Sequence, residues 1–243
     1  MSSLQAKTIL QNIRNGVPNQ DQTDYSEYTQ TKYKKIENNF ATNIINYLDL
    51  NMEDGPWLAG SMARKLFMKE DPGYSDWDIW VKDDIQEMRI TNLLDNLQDT
   101  RIAYKSDNAI TYTHQVNDFD VLFDSPKKPF IEAEPKDTDE HKIQVIKRRH
   151  FDSAQDIIDN FDFTVCQVAT DGKNFIFGDK TKHDIEHKIL RHTPKEPRTD
   201  GMIARIIKYT VYGFKPDEDL MWFLEENQDT INWNGGMDDY EAV

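Results

Sequence analysis

Two aspartates one residue apart, Asp76 and Asp78, sit in the segment Asp76-Trp77-Asp78-Ile79-Trp80-Val81. Trp77, Ile79 and Val81 alternate against Asp76, Asp78 and Trp80, and a period of two places both carboxylates on one face of a strand. Paired carboxylates at this spacing can bridge a pair of divalent cations roughly 3.5–4 Å apart, an arrangement suited to phosphoryl transfer. Mg²⁺ takes a few carboxylates plus water and substrate phosphates, so one further Asp would complete such a site. Upstream, Trp57-Leu58-Ala59 is a short apolar strand candidate ending at Gly60-Ser61. A Gly-Ser pair before a helix lets backbone approach phosphate oxygens, with the hydroxyl and the helix N-terminal amides as donors.

Asp-x-Asp alone is weak evidence, because acid and apolar residues alternate on any half-exposed strand. Its weight comes from the preceding Gly-Ser and from a later Asp on an apolar segment. Two candidates offer that Asp: Asp120 in Asn117-Asp118-Phe119-Asp120-Val121, and Asp162 in Phe161-Asp162-Phe163. Asp162 is preferred, its side chain expected on one strand face with Thr164 and Cys166. The alternative for Asp162 is an ordinary acid paired with Arg148 or Arg149.

The elements that must position these groups follow from periodicity. Ile36, Phe40, Ile44 and Leu48 recur every four residues and predict a helix. Asp54-Gly55-Pro56 breaks the chain, residues 62–69 form a short helix, and Asp71-Pro72-Gly73-Tyr74 a loop. A second amphipathic helix carries Ile85, Met88, Leu93 and Leu97. Strands are expected at 109–114, 118–123, 143–147 and 161–168, and Ser125 to Glu140 as an exposed loop. Ser153 caps a helix to about Asn160, and Asp171-Gly172-Lys173-Asn174 turns a hairpin into 175–177. Helices follow at 182–191, 200–212 and 216–226.

At 243 residues, with 37% hydrophobic and 30% charged side chains, the chain reads as globular. No apolar run approaches the roughly 18–20 residues that cross a bilayer, and a single cysteine cannot form an internal disulfide, so no membrane association and a cytoplasmic location are expected. The net charge of −15 argues against binding nucleic acid over a broad basic face. Lys147, Arg148, Arg149 and His150 could line a local basic groove, or simply be a solvated strand end. The six histidines show no metal-ligand spacing, Cys166 has no base partner and reads as a packed thiol, and Trp77, Trp80, Met202, Ile203, Ile206 and Tyr209 read as packing residues.

Leu58-Ala59-Gly60-Ser61, fourteen intervening residues, then Asp76-Trp77-Asp78-Ile79 resembles the DNA polymerase β-like nucleotidyltransferase superfamily, whose spacer is about ten residues. FDFTVCQVATDG and RIIKYTVYGF are similar to segments of viral and bacteriophage nucleotidyltransferases. The resemblance implies an α+β fold with a mixed sheet, a catalytic domain at 36–180 and a small helical region at 181–231 behind it, while composition marks a polar arm at 1–35 and an acidic tail at 232–243. It also implies Mg²⁺ or Mn²⁺ held by Asp76, Asp78 and Asp162, phosphates cradled by Gly60 and Ser61, and a nucleotide contact from Lys208, which an ordinary surface lysine would not make. The substrate would be an NTP, ATP first, and the acceptor an RNA or tRNA end, a protein or a small molecule. The alternative from a different class is a catalytically degenerate member of the fold that binds a partner.

Overall fold

The structure is a computed structural model that describes residues 10, 11, 13, 14, 42–70, 75–115, 140–193 and 202–227. Asp120, the expected strand 118–123 and the acidic tail lie outside the described residues, as do Ile36, Phe40 and the loop at 71–74.

Helix α1 (42–48) buries Ile44 and Leu48, the described half of the predicted stripe. Strand β1 (Trp57–Ala59) is buried at every position and leads through Gly60 into helix α2 (Ser61–Met68). Strand β2 (Trp77–Trp80) follows, then helix α3 (Asp84–Asp95), whose N-cap Asp83 accepts a hydrogen bond from the Gln86 amide at 2.8 Å. Strands β3 (Thr100–Lys105), β4 (Ala109–Gln115) and β5 (Glu140–Ile146) come next. Helix α4 (Ala154–Ile158) starts at Ser153, whose hydroxyl caps the Asp156 amide as its residue type predicts. Strands β6 (Val168–Thr170) and β7 (Phe175–Phe177) form the expected hairpin over Asp171–Asn174. Helix α5 (Thr181–Glu186), strand β8 (Ile189–Leu190), helix α6 (Met202–Val211), strand β9 (Lys215–Pro216) and helix α7 (Glu218–Glu226) complete the described chain.

Seven strands pair in the order β3-β4-β5-β2-β1-β6-β7. β2 is central, parallel to β5 and antiparallel to β1. This is the mixed sheet of an α+β fold. Its two faces carry separate apolar clusters because the strands alternate. Trp77, Ile79 and Val81 join Leu58, Met62, Ile143 and Val145 in the larger one, which also takes Met202, Ile206, Tyr209 and Leu224 from the C-terminal helices. Trp57, Trp80, Ile146 and Ala169 pack on the other face under Ile157 and Ile158 of α4.

Two expectations are corrected. Residues 161–168 are not a strand: Thr164–Cys166 form a 3-10 helix, and β6 begins only at Val168. Phe163, Thr164, Val165 and Cys166 are all buried, so the alternation of residue types there does not separate an inner from an outer face. The helix expected over 182–191 ends at Glu186, and Ile189–Leu190 instead pair in parallel with Lys215–Pro216. Strand β3 was not anticipated; all but its first residue is exposed, so no buried face marks it.

Candidate active site

The site is assembled at the turn from β1 into α2 and along β2. Gly60 has φ 86°, a left-handed conformation that costs a non-glycine residue strain. That conformation turns the chain from β1 into α2, and the Gly60 amide donates to the Val168 carbonyl at 2.9 Å, which fixes the turn to β6. A Cβ placed on Gly60 would lie 3.8 Å from Asp78 Oδ2 and 3.3 Å from Cζ of Phe161. The absence of a side chain therefore keeps space beside the Asp78 carboxylate, and Ser61 opens α2 directly next to it.

Asp76 immediately precedes β2 and Asp78 lies within it, so the two share a sheet face. Both are half-buried. Burial, with like-charge repulsion from Asp76 added and the Lys208 ammonium opposing both, pushes the Asp78 carboxyl up to about 8. Burial likewise raises Asp76, against the ammonium groups of Lys142 and Lys208. Lys208, on α6, thus lies close enough to act on both carboxylates. Sequence reasoning missed Lys142: its signal was the alternation of Lys142 and Gln144 with Ile143 and Val145, but nothing local says that β5 pairs beside β2.

Asp162 is placed differently. Its carboxylate is paired with the Arg205 guanidinium of α6, and its carbonyl accepts from the Thr193 amide at 2.8 Å. In the alternative reading Asp162 is an ordinary paired acid, but its partner is Arg205 rather than Arg148 or Arg149, and Arg149 lies over the ring of Phe151. Among the described residues the structure brings Gly60, Asp76, Asp78 and Lys208 together, with Phe161 against Gly60, while Asp162 faces Arg205. Cys166 donates to or accepts from the Tyr209 hydroxyl at 2.8 Å, and burial pushes its thiol up to about 11. It is a packed thiol.

A divalent cation fits the carboxylate pair. Asp78 Oδ1 is buried and has no hydrogen-bond partner among the described residues. Such an oxygen is costly unless a proton or a cation satisfies it. Asp76 and Asp78 are the residues that would hold the ion, and both are hard oxygen donors suited to Mg²⁺ or Mn²⁺. No helix among the described residues is long and apolar enough to cross a membrane.

The fold has solved counterparts. A CCA-adding enzyme in complex with CTP superposes with a TM-score of 0.50 at 13% identity, over 81% of this chain and 46% of that one. An apo tRNA-processing enzyme matches at 12% identity and a TM-score of 0.49, over 86% of this chain and 49% of that one. The chain spans about half the length of these structures, and the first of them shows that the chain has an α+β mixed-sheet fold resembling that of the CCA-adding enzyme. No curated protein matches the sequence. Residues 31–188 match the family described as Gabija anti-defense 2 family protein, which takes in the Gly-Ser turn, the Asp-x-Asp strand and Asp162. The chain belongs to the Gabija anti-defense 2 family, a phage anti-defense family built here on a nucleotidyltransferase fold.

Proposed function

We propose that this chain transfers a nucleoside monophosphate from an NTP to an acceptor hydroxyl and releases pyrophosphate. The observation that carries the reading is the approach of Gly60 to Asp78, which sets the start of α2 beside the carboxylate pair. Ser61 and the first amides of α2 would receive phosphate oxygens, and Lys208 would add a positive charge against the phosphate chain. When bound, the Mg²⁺ or Mn²⁺ neutralises charge on the phosphates and polarises the reacting phosphorus. The acceptor oxygen forms a bond to the α-phosphorus, the bond from that phosphorus to the pyrophosphate oxygen breaks, and the hydroxyl proton passes to a carboxylate of the pair. The residues contribute position and charge rather than covalent chemistry.

ATP is the nucleotide we expect first, and the acceptor an RNA or tRNA end, a protein or a small molecule. Incubation with each α-labelled NTP, Mg²⁺ and cell RNA, protein or small-molecule fractions tests this. Label should enter one fraction with the unaltered protein and none with Asp78→Asn. Label entering equally with Asp78→Asn, or entering no fraction, would overturn it.

A second reading is that the chain keeps the fold and binds a partner without chemistry. The Asp162–Arg205 pair favours it, since an acid held by a guanidinium is not free for a metal. Titration calorimetry separates the two: a partner-binding protein shows no heat with any NTP and Mg²⁺.

A further inference from the structure

β2 and β5 run parallel, with Trp80 opposite Ile146, so their C-terminal ends lie side by side. The chain passes from β2 into α3, and from β5 through Lys147–His150 toward α4. Asp84 and Glu87 stand three residues apart in the first turn of α3, a spacing that sets both on one side of a helix. His150 meets them from the other connection: its Nε2 lies 3.7 Å from Asp84 Oδ1 and 3.6 Å from Glu87 Oε2. One ligand atom from each of the three lies within 4.8 Å of the other two. Asp76 immediately precedes β2, whereas this cluster forms beyond the opposite end of that strand, so the two groups are separate.

Distance decides between an ion pair and a shared cation. In an ion pair, a protonated imidazole closes on one carboxylate to about 2.7–2.9 Å. His150 Nε2 closes on neither acid. It is buried and has no hydrogen-bond partner among the described residues, a costly state for an imidazole nitrogen. Ligands of one cation keep a wider spacing: at bond lengths of about 2.1 Å, tetrahedral ligand atoms stand about 3.4 Å apart, near both distances seen here. Glu87 divides its oxygens to suit. Oε2 faces His150, while Oε1 faces the Lys147 ammonium at 4.0 Å, which leaves Lys147 outside the triangle. Two carboxylates carry the charge that a divalent cation neutralises, and an imidazole among them favours Zn²⁺ over Mg²⁺ or Ca²⁺, which prefer oxygen ligands. Three protein ligands leave one tetrahedral position to water.

We propose that Asp84, Glu87 and His150 bind a Zn²⁺ ion that pins the start of α3 to the connection between β5 and α4. Calorimetric titration of the full chain with Zn²⁺ tests this, in an Asp78→Asn background so that the Asp76–Asp78 pair does not compete for the ion. Zn²⁺ should bind in that background. Adding His150→Ala should abolish the binding, and adding Glu87→Gln should weaken it roughly tenfold or more. At a hundredfold excess over its dissociation constant, Zn²⁺ should raise the melting temperature by roughly 5–10 °C, and His150→Ala should remove that rise. Melting temperatures in chelator that match the background establish that the variants fold; if His150→Ala does not fold, Glu87→Gln decides. Zn²⁺ bound with equal affinity by the background and by the folded His150 and Glu87 variants, or no Zn²⁺ bound at all, would overturn the inference.

Discussion

Gly60 lies beside Asp78, so that a methyl group on Gly60 would touch the Asp78 carboxylate oxygen at 3.8 Å, in van der Waals contact. The same methyl would press on Phe161 and would have to be carried at φ 86°. Gly60→Ala should therefore cost about 1–2 kcal/mol in stability and lose more in nucleotide binding than its stability explains. Urea denaturation beside calorimetry with an NTP analogue checks both. An alanine variant with unchanged stability and affinity would show that the close approach does not constrain the site.

Asp78 makes stability depend on pH. Its carboxyl is raised to about 8 in the folded chain and is near 3.8 when unfolded, so between those values the folded state retains a proton that the unfolded state gives up. Stability without divalent ions should then fall as pH rises from about 4 to about 8. Thermal melts in chelator across that window should show the fall, and Asp78→Asn should flatten it. A slope identical in the two proteins would refute the assignment.

Asp162 and Arg205 have side chains only 17% and 15% exposed, so removing either partner strands a poorly solvated charge. Asp162→Ala and Arg205→Ala should each cost about 2–3 kcal/mol, and the double variant less than their sum. A double-mutant cycle by denaturant titration measures the coupling. Additive losses would mean that the pair is incidental.

These relationships mark what a linear reading could reach. The Asp-x-Asp strand was legible because its period of two is local and one side of it is buried core. The Gly-Ser turn was legible because few residues other than glycine accept its backbone. The partner of Asp162 was not, since Arg205 reaches it from a helix that only tertiary folding brings near. The 161–168 segment reads as a strand because apolar and polar residues alternate, yet Phe163, Thr164, Val165 and Cys166 are all buried. Asp120, the other candidate third carboxylate, lies outside the described residues. Lys142 and Gln144 acquire meaning only from the parallel pairing of β5 with β2, which no periodicity announces.

Cys166 should resist thiol reagents in the folded protein. A thiol raised to about 11 by burial is ionised at pH 8 in only about one molecule in a thousand, and the side chain is shielded from reagent. Reaction with a chromogenic disulfide should be slow in buffer and complete within minutes in denaturant. Rapid native reaction would contradict the packed-thiol assignment.

The place of β2 in the strand order has a further consequence. Three strands lie to one side of it and three to the other, so its amides are shielded from both directions while β3 and β7 form the margins. Local opening begins at margins and spreads inward at growing cost. Amide hydrogens of Asp78 and Ile79 should therefore exchange with solvent among the slowest, and those of β3 early. The carboxylate pair rides on the part of the sheet that opens last, so fraying at either margin leaves the reactive groups in register.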